Sequence, residues 1–237
     1  FCFSQITFKS LPRGQKIRIK DKSTYQKGIL ELNKVRLYIM KTKRLKRFIY
    51  SFFVYSMAVQ TIMLVAVYFG TKEVNWGEGA NAKMGLIIGV LLIQLIAIPG
   101  AILLSKISKF KGNLFALKLV VFIWILLCLS ALLVYEPIHF YLISGFVGLV
   151  MGGIQSLSRS TYSKYIPSGT KDTSSFFSFY DISEKLGIVI GMFSYGFIEQ
   201  VTGSMRNSIV ALVVFFIVGL LLLFQVPKEE ISIENYG

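Results

Sequence analysis

The sequence predicts an all-α membrane protein: six transmembrane helices in two three-helix units of opposite orientation, preceded by an amphipathic helix on the cytoplasmic side. Three observations carry that reading. Of 237 residues, 54% are hydrophobic and 14% aromatic, and the mean hydropathy is +0.63, too apolar for a soluble chain of this length. The apolar residues gather into six stretches long enough to cross a bilayer. The net charge of +14 is confined to the connections between them. A basic balance of that size on a soluble surface would suggest nucleic acid; segregated into loops, it reports membrane topology, and no nucleic-acid partner is expected.

Phe1–Phe8 (FCFSQITF) has neither an initiator Met nor a signal-peptide pattern and reads as the end of a preceding transmembrane helix, so a fragment of a longer protein is expected. Lys9–Arg47 follows as a basic cytoplasmic loop, with fourteen Lys and Arg against Asp21 and Glu31. In its second half Tyr25, Ile29, Leu32, Val35 and Ile39 recur at spacings of three and four. Lys27, Lys34, Arg36, Lys41 and Lys43 occupy other faces, the pattern of a helix packed on a membrane face or on the bundle.

Residues 48–226 form the six-helix region, with spans expected at Phe48–Phe69, Met84–Leu104, Leu114–Val134, Ile138–Ser158, Ser175–Ile198 and Asn207–Val226. Placing Lys9–Arg47 in the cytoplasm and alternating puts 21 Lys and Arg inside against three outside, Lys72, Lys83 and Arg206. The opposite orientation violates the positive-inside rule. An even number of crossings also returns the 227–237 tail to the cytoplasm, as expected for a multi-pass protein of the cell (plasma or inner) membrane.

Polar content separates the spans into two kinds. The first carries Ser56, Gln60 and Thr61, the second Gln94 and Pro99-Gly100, and the fourth Ser144 and Gln155. The third and sixth are nearly featureless apart from Lys118, close enough to an end to snorkel. The order polar, polar, apolar thus occurs twice, the mark of an inverted repeat whose third members are lipid-facing supports. Gly148 and Gly152 give the fourth span a small-xxx-small seam for a neighbouring helix.

The fifth span holds the residues that most need a reason. On a wheel of about 100° per residue, Asp181, Glu184 and Lys185 share one side, while Ile182, Leu186, Val189, Phe193 and Phe197 form an apolar stripe largely opposite. Ser183, Gly187 and Gly191 lie between as a small-residue seam. Each such charge costs roughly 2.5–3.5 kcal/mol at mid-bilayer, so the side bearing them faces protein or water. Two readings stay open: a substrate or proton-coupling site, and a structural cluster in which Asp181 pairs with Lys185 four residues on.

Enzymatic chemistry has no support. No nucleophile, base and orienting group occur together, no metal-ligand spacing is present, and no glycine-rich phosphate loop appears. Cys2, Cys128 and His139 are isolated, and no cofactor is expected.

FFVYSMAVQTIMLVAVYFGTKEV (Phe52–Val74), GGIQSLSRSTYSKYIP (Gly152–Pro167), FFSFYDISEKLGIVIG (Phe176–Gly191) and TGSMRNS (Thr202–Ser208) together resemble the carboxy-terminal half of a major facilitator superfamily transporter, in the branch of vacuolar amino-acid effluxers. The resemblance covers nearly the whole chain. It implies two six-helix halves around a central cavity, with the amino-terminal half as the partner absent from this sequence. One departure is local: SKISKFKGN (Ser105–Asn113) keeps the basic residues of the superfamily's cytoplasmic turn and lacks its Asp.

The function expected is secondary active transport of a small polar solute, possible amino-acid efflux or uptake, with proton coupling an option. The alternative is a receptor or scaffold that keeps the fold without transporting. Asp181, Glu184, Lys185, Gln60, Thr61 and Gln155 are the candidates for substrate or coupling contacts. Arg159, at the cytoplasmic end of the fourth span, is the candidate gating latch onto a carboxylate of the fifth. Membrane lipids and the solute are the other expected partners.

Overall fold

A computed structural model describes residues 22–77, 82–167 and 173–227. The expectations for residues 1–8, for the loop up to residue 21 and for the tail from residue 228 lie outside the described residues. Among the described residues there are seven helices: α1 Lys22–Lys41, α2 Lys43–Glu73, α3 Ala82–Lys111, α4 Asn113–Ala131, α5 Pro137–Tyr165, α6 Thr173–Thr202 and α7 Met205–Phe224. Five of them, α2, α3, α4, α5 and α7, are long and apolar enough to cross a membrane. The thirty residues of α6 would reach about 45 Å at 1.5 Å each, so length is not what it lacks. Its charges and serines lower its apolarity.

The bundle is assembled by close backbone approach. α3 lies chiefly on α5, and a Cβ on Gly148 would stand only 2.6 Å from the carbonyl oxygen of Ile93. Gly152 faces Ala97 in the same way, so the small-residue seam of α5 does meet a helix. α6 approaches α2 through the glycines of its own seam, where a Cβ on Gly191 would fall 2.6 Å from the Met57 carbonyl oxygen and one on Gly187 would touch Ser56. The stripe of α6 opposite, Ile182, Leu186, Val189, Phe193 and Phe197, is exposed throughout.

The two featureless spans are covered more than the sequence suggests. One flank of α4 (Phe122, Leu126, Leu129) and one of α7 (Val210, Val214, Leu221) is exposed, as a lipid-facing support requires. Their other flanks meet each other, with Trp124 stacked on Phe216 at 5.6 Å and both rings buried. Among the helices of the bundle that follow α1, α3 and α6 are the least covered, with five buried residues each. The face α3 leaves open is apolar, with Ile87, Leu91, Leu95 and Ile98 exposed, whereas α6 exposes Lys185 as well as its apolar stripe.

The stripe of α1 is corrected in part. Val35 and Ile39 are buried and Leu32 is half-buried, but Ile29 is 50% exposed, and the Tyr25 side chain lies outside the described set. α1 leans on the bundle through its second half, where Tyr38 meets Phe176 edge-on at 5.6 Å and Ser175 donates to the mid-helix Glu31 at 3.4 Å. Ile39→Ala is therefore expected to cost about 2–4 kcal/mol of stability. Ile29→Ala should stay within about 0.5 kcal/mol. Thermal unfolding in detergent compares the two, and equal losses would mean that the whole stripe is docked.

Candidate functional site

α2, α5 and α6 enclose a polar cleft of roughly 280 Å³. Gln60 of α2, Gln155 and Arg159 of α5 and Glu184 of α6 all line it. Glu184 reaches the cleft because the glycine seam of α6 draws that helix against α2. The Gln60 amide then donates to Glu184 Oε1 across 124 residues of sequence. That bond takes one carboxylate lone pair and leaves others for a ligand. Gln155 lies across the cleft and donates to Met63 Sδ at 3.4 Å.

Arg159, near the C-terminal end of α5, lines one end of this space. Its guanidinium pairs with Asp181 at 3.3 Å, the two side chains being 55% and 47% exposed. It also lies 5.1 Å from the Phe177 ring centre and 5.9 Å from that of Tyr180. At such exposure an ion pair is worth about 0–1 kcal/mol, so it is a contact that can open at little cost. Asp181 thus pairs across helices with Arg159. The other candidate partner, Lys185 four residues on, is exposed and makes no ion pair among the described residues. Thr61 is fully buried, donates to the Met57 carbonyl at 2.7 Å and packs beneath Gly191, so it serves the α2–α6 contact and does not line the cleft.

Several lining residues were not singled out from sequence. Tyr180 stacks on Phe52 at 4.1 Å and closes the cleft from below. Tyr55 and Ser158, both buried, share a 2.7 Å hydrogen bond; since Ser158 gives its own proton to the Ile154 carbonyl, Tyr55 is the donor. Tyr180 stands four residues before Glu184, so the wheel that grouped the charges also places it beside them. Ser158 follows Gln155 by three residues in the same way. Nothing local marks Tyr55, whose role comes from a partner 103 residues away.

A second cavity of about 110 Å³ lies toward the opposite end of the bundle. Its walls are almost wholly apolar, including Val65, Phe69, Trp124, Phe140 and Leu212, and offer a polar solute nothing. Near the same end Arg206 binds Glu73 at 2.7 Å and the carbonyls of Leu132 and Val134 at 2.6 Å each.

Long apolar helices joined by short connections around a cleft with opposite charges are those of a polytopic integral membrane protein. The family model described as "Vacuole effluxer Atg22 like" matches residues 1–234, and the chain belongs to that family. The family is one of transporters and not a class of enzymes. The chain is 28% identical over 192 residues to "Uncharacterized MFS-type transporter YxiO" of Bacillus subtilis (strain 168), a match covering 81% of this chain and 43% of that protein. It is 25% identical over 186 residues to "Autophagy-related protein 22" of Pichia angusta, covering 74% of this chain and 32% of the relative. The Saccharomyces cerevisiae (strain YJM789) protein of the same name is 25% identical over 191 residues, 76% of this chain and 34% of its own length. The chain thus spans less than half the length of these curated relatives. No solved structure matches it.

Proposed function

We propose that this chain is the carboxy-terminal half of a secondary transporter for a small polar solute, and that the α2–α5–α6 cleft is its share of the solute path. The observation that carries this is the convergence of Gln60, Gln155, Arg159 and Glu184 on one cleft of solute size. A cation and a carboxylate facing the same space suit a zwitterion, its carboxylate toward Arg159 and its ammonium toward Glu184. Amino acids are the nearest solutes of that kind, in keeping with what the effluxer resemblance implies. Glu184 or Asp181 carries the coupling proton. The Arg159–Asp181 pair is the cytoplasmic latch, opened as this half rocks against its partner half. The protein lies in the cell membrane with its basic connections toward the cytoplasm.

The test uses the full-length protein in sealed vesicles. Labelled amino acids should move across the membrane, faster with a pH gradient than without one. Absence of flux above empty vesicles for any zwitterion, with the protein shown to be folded, would favour the receptor or scaffold reading.

A further inference from the structure

The α3–α4 turn carries a surface patch that the transport reading leaves unused. Phe110 is 88% exposed, more than any other large apolar side chain among the described residues. It stands in the last turn of α3 between Lys109 and Lys111, with Lys106 four residues earlier. Lys106, Lys109 and Phe110 share a face at i, i+3 and i+4. All three lysines are exposed, and none makes an ion pair among the described residues.

The patch is held in shape. Gly112 has φ +87°, a left-handed conformation open to glycine, and it reverses the chain so that α4 begins at once. Phe115 then comes beneath Lys111, whose Nζ lies 5.0 Å from the ring centre. Asn113 ties the turn to the end of α5: its Oδ1 accepts from Ser108 at 2.6 Å and from Lys164 at 3.0 Å, while its Nδ2 donates to Ser160 at 3.1 Å. These are neutral or singly charged contacts that leave the three lysines of the turn uncompensated.

Depth decides what such a patch meets. The apolar run of α3 ends at Leu104, before Ser105 and Lys106, and Phe110 lies six residues further, about 9 Å along the axis. The headgroup layer extends roughly 5–8 Å beyond the hydrocarbon, so the turn stands at its outer edge. Aromatic rings settle at that boundary, and basic side chains there gain from anionic lipids of the cytoplasmic leaflet. We propose that the α3–α4 turn binds an anionic phospholipid headgroup, with Lys106 and Lys109 on the phosphate and the Phe110 ring, which shares their face and angles back along α3, turned toward the glycerol region. The site stands whether or not the cleft transports a solute.

Phe110→Trp in the full-length protein tests it, since replacing so exposed a ring leaves the bundle untouched. The variant is reconstituted into phosphatidylcholine vesicles doped with brominated phosphatidylglycerol, and separately into vesicles in which phosphatidylcholine carries the bromine. Quenching beyond that of the wild-type protein reports the added indole. Half-quenching is expected at no more than about one fifth of the mole fraction for the anionic lipid, the factor that even one lysine contact supplies. Adding Lys106→Gln, Lys109→Gln and Lys111→Gln should abolish the preference while quenching persists. Equal quenching by both lipids, no quenching by either, or a preference surviving loss of the lysines overturns the assignment. So does loss of the preference in millimolar inorganic phosphate, which would make the turn a site for the free anion.

Discussion

Arg206→Leu is expected to leave little folded protein, a loss of about 3–5 kcal/mol. The side chains of Arg206 and Glu73 are only 17% and 22% exposed. The guanidinium serves Glu73 Oε2 at 2.7 Å and the carbonyls of Leu132 and Val134 at 2.6 Å, binding the end of α2 and the α4–α5 connection to the first turn of α7. It also lies 4.1 Å from the ring centre of Tyr135. Removing it strands a mostly buried carboxylate and two carbonyls at once, and breaking such a pair costs about 3–5 kcal/mol. Arg206→Lys should recover only part of the loss, because an ammonium lacks the planar fork that meets several acceptors together. Glu73→Gln should be milder than Arg206→Leu, since the carbonyl contacts survive. Thermal unfolding in detergent ranks the three, and a wild-type melting temperature for Arg206→Leu would show that this clamp contributes nothing.

Glu184→Gln is expected to raise the apparent KM for a zwitterionic solute about tenfold, since a hydrogen bond to a charged group is worth about 1.5–3 kcal/mol. Asp181→Asn should act differently. Asp181 touches Arg159 and does not line the cleft, so its loss weakens the latch and changes the rate of solute release more than KM. Gln60→Leu leaves the carboxylate in place without its donor, and is expected to fall between wild type and Glu184→Gln. Initial flux against solute concentration, with protein abundance measured alongside, separates these effects. If Glu184→Gln and Asp181→Asn, alone and combined, keep wild-type flux and pH dependence, the charges of α6 are structural.

Much of the fold is legible in the chain because it is local. The span of α3 is written in the run from Met84 to Leu104, and the lipid-facing side of α6 in Ile182, Leu186, Val189 and Phe193, since a helix imposes its period on whatever residues it contains. The seams at Gly148 and Gly152 and at Gly187 and Gly191 are visible for the same reason, and both became contacts between helices. α1 shows where this fails. Its periodic stripe runs from Tyr25 to Ile39, yet periodicity says only which face is apolar and not how far along the helix a partner extends; Ile29 lies beyond the end of that partner.

For the candidate site the division is sharper. Sequence alone determined that α6 carries Asp181, Glu184 and Lys185 on one side, that Gln60 and Gln155 sit in the first and fourth spans, and that Arg159 stands at a helix end. The tertiary structure chose among the partners: of the carboxylates within reach of Arg159 it is Asp181 that pairs, and not with Lys185, Glu184 took its hydrogen bond from Gln60, and Thr61, one residue from Gln60, turned into the α2–α6 contact. The physical reason is the angle between successive side chains on a helix, about 100°. Adjacent polar residues point to different neighbours, and which neighbour stands there depends on how α2, α5 and α6 pack, through contacts between residues as far apart as Gln60 and Glu184, 124 positions along the chain.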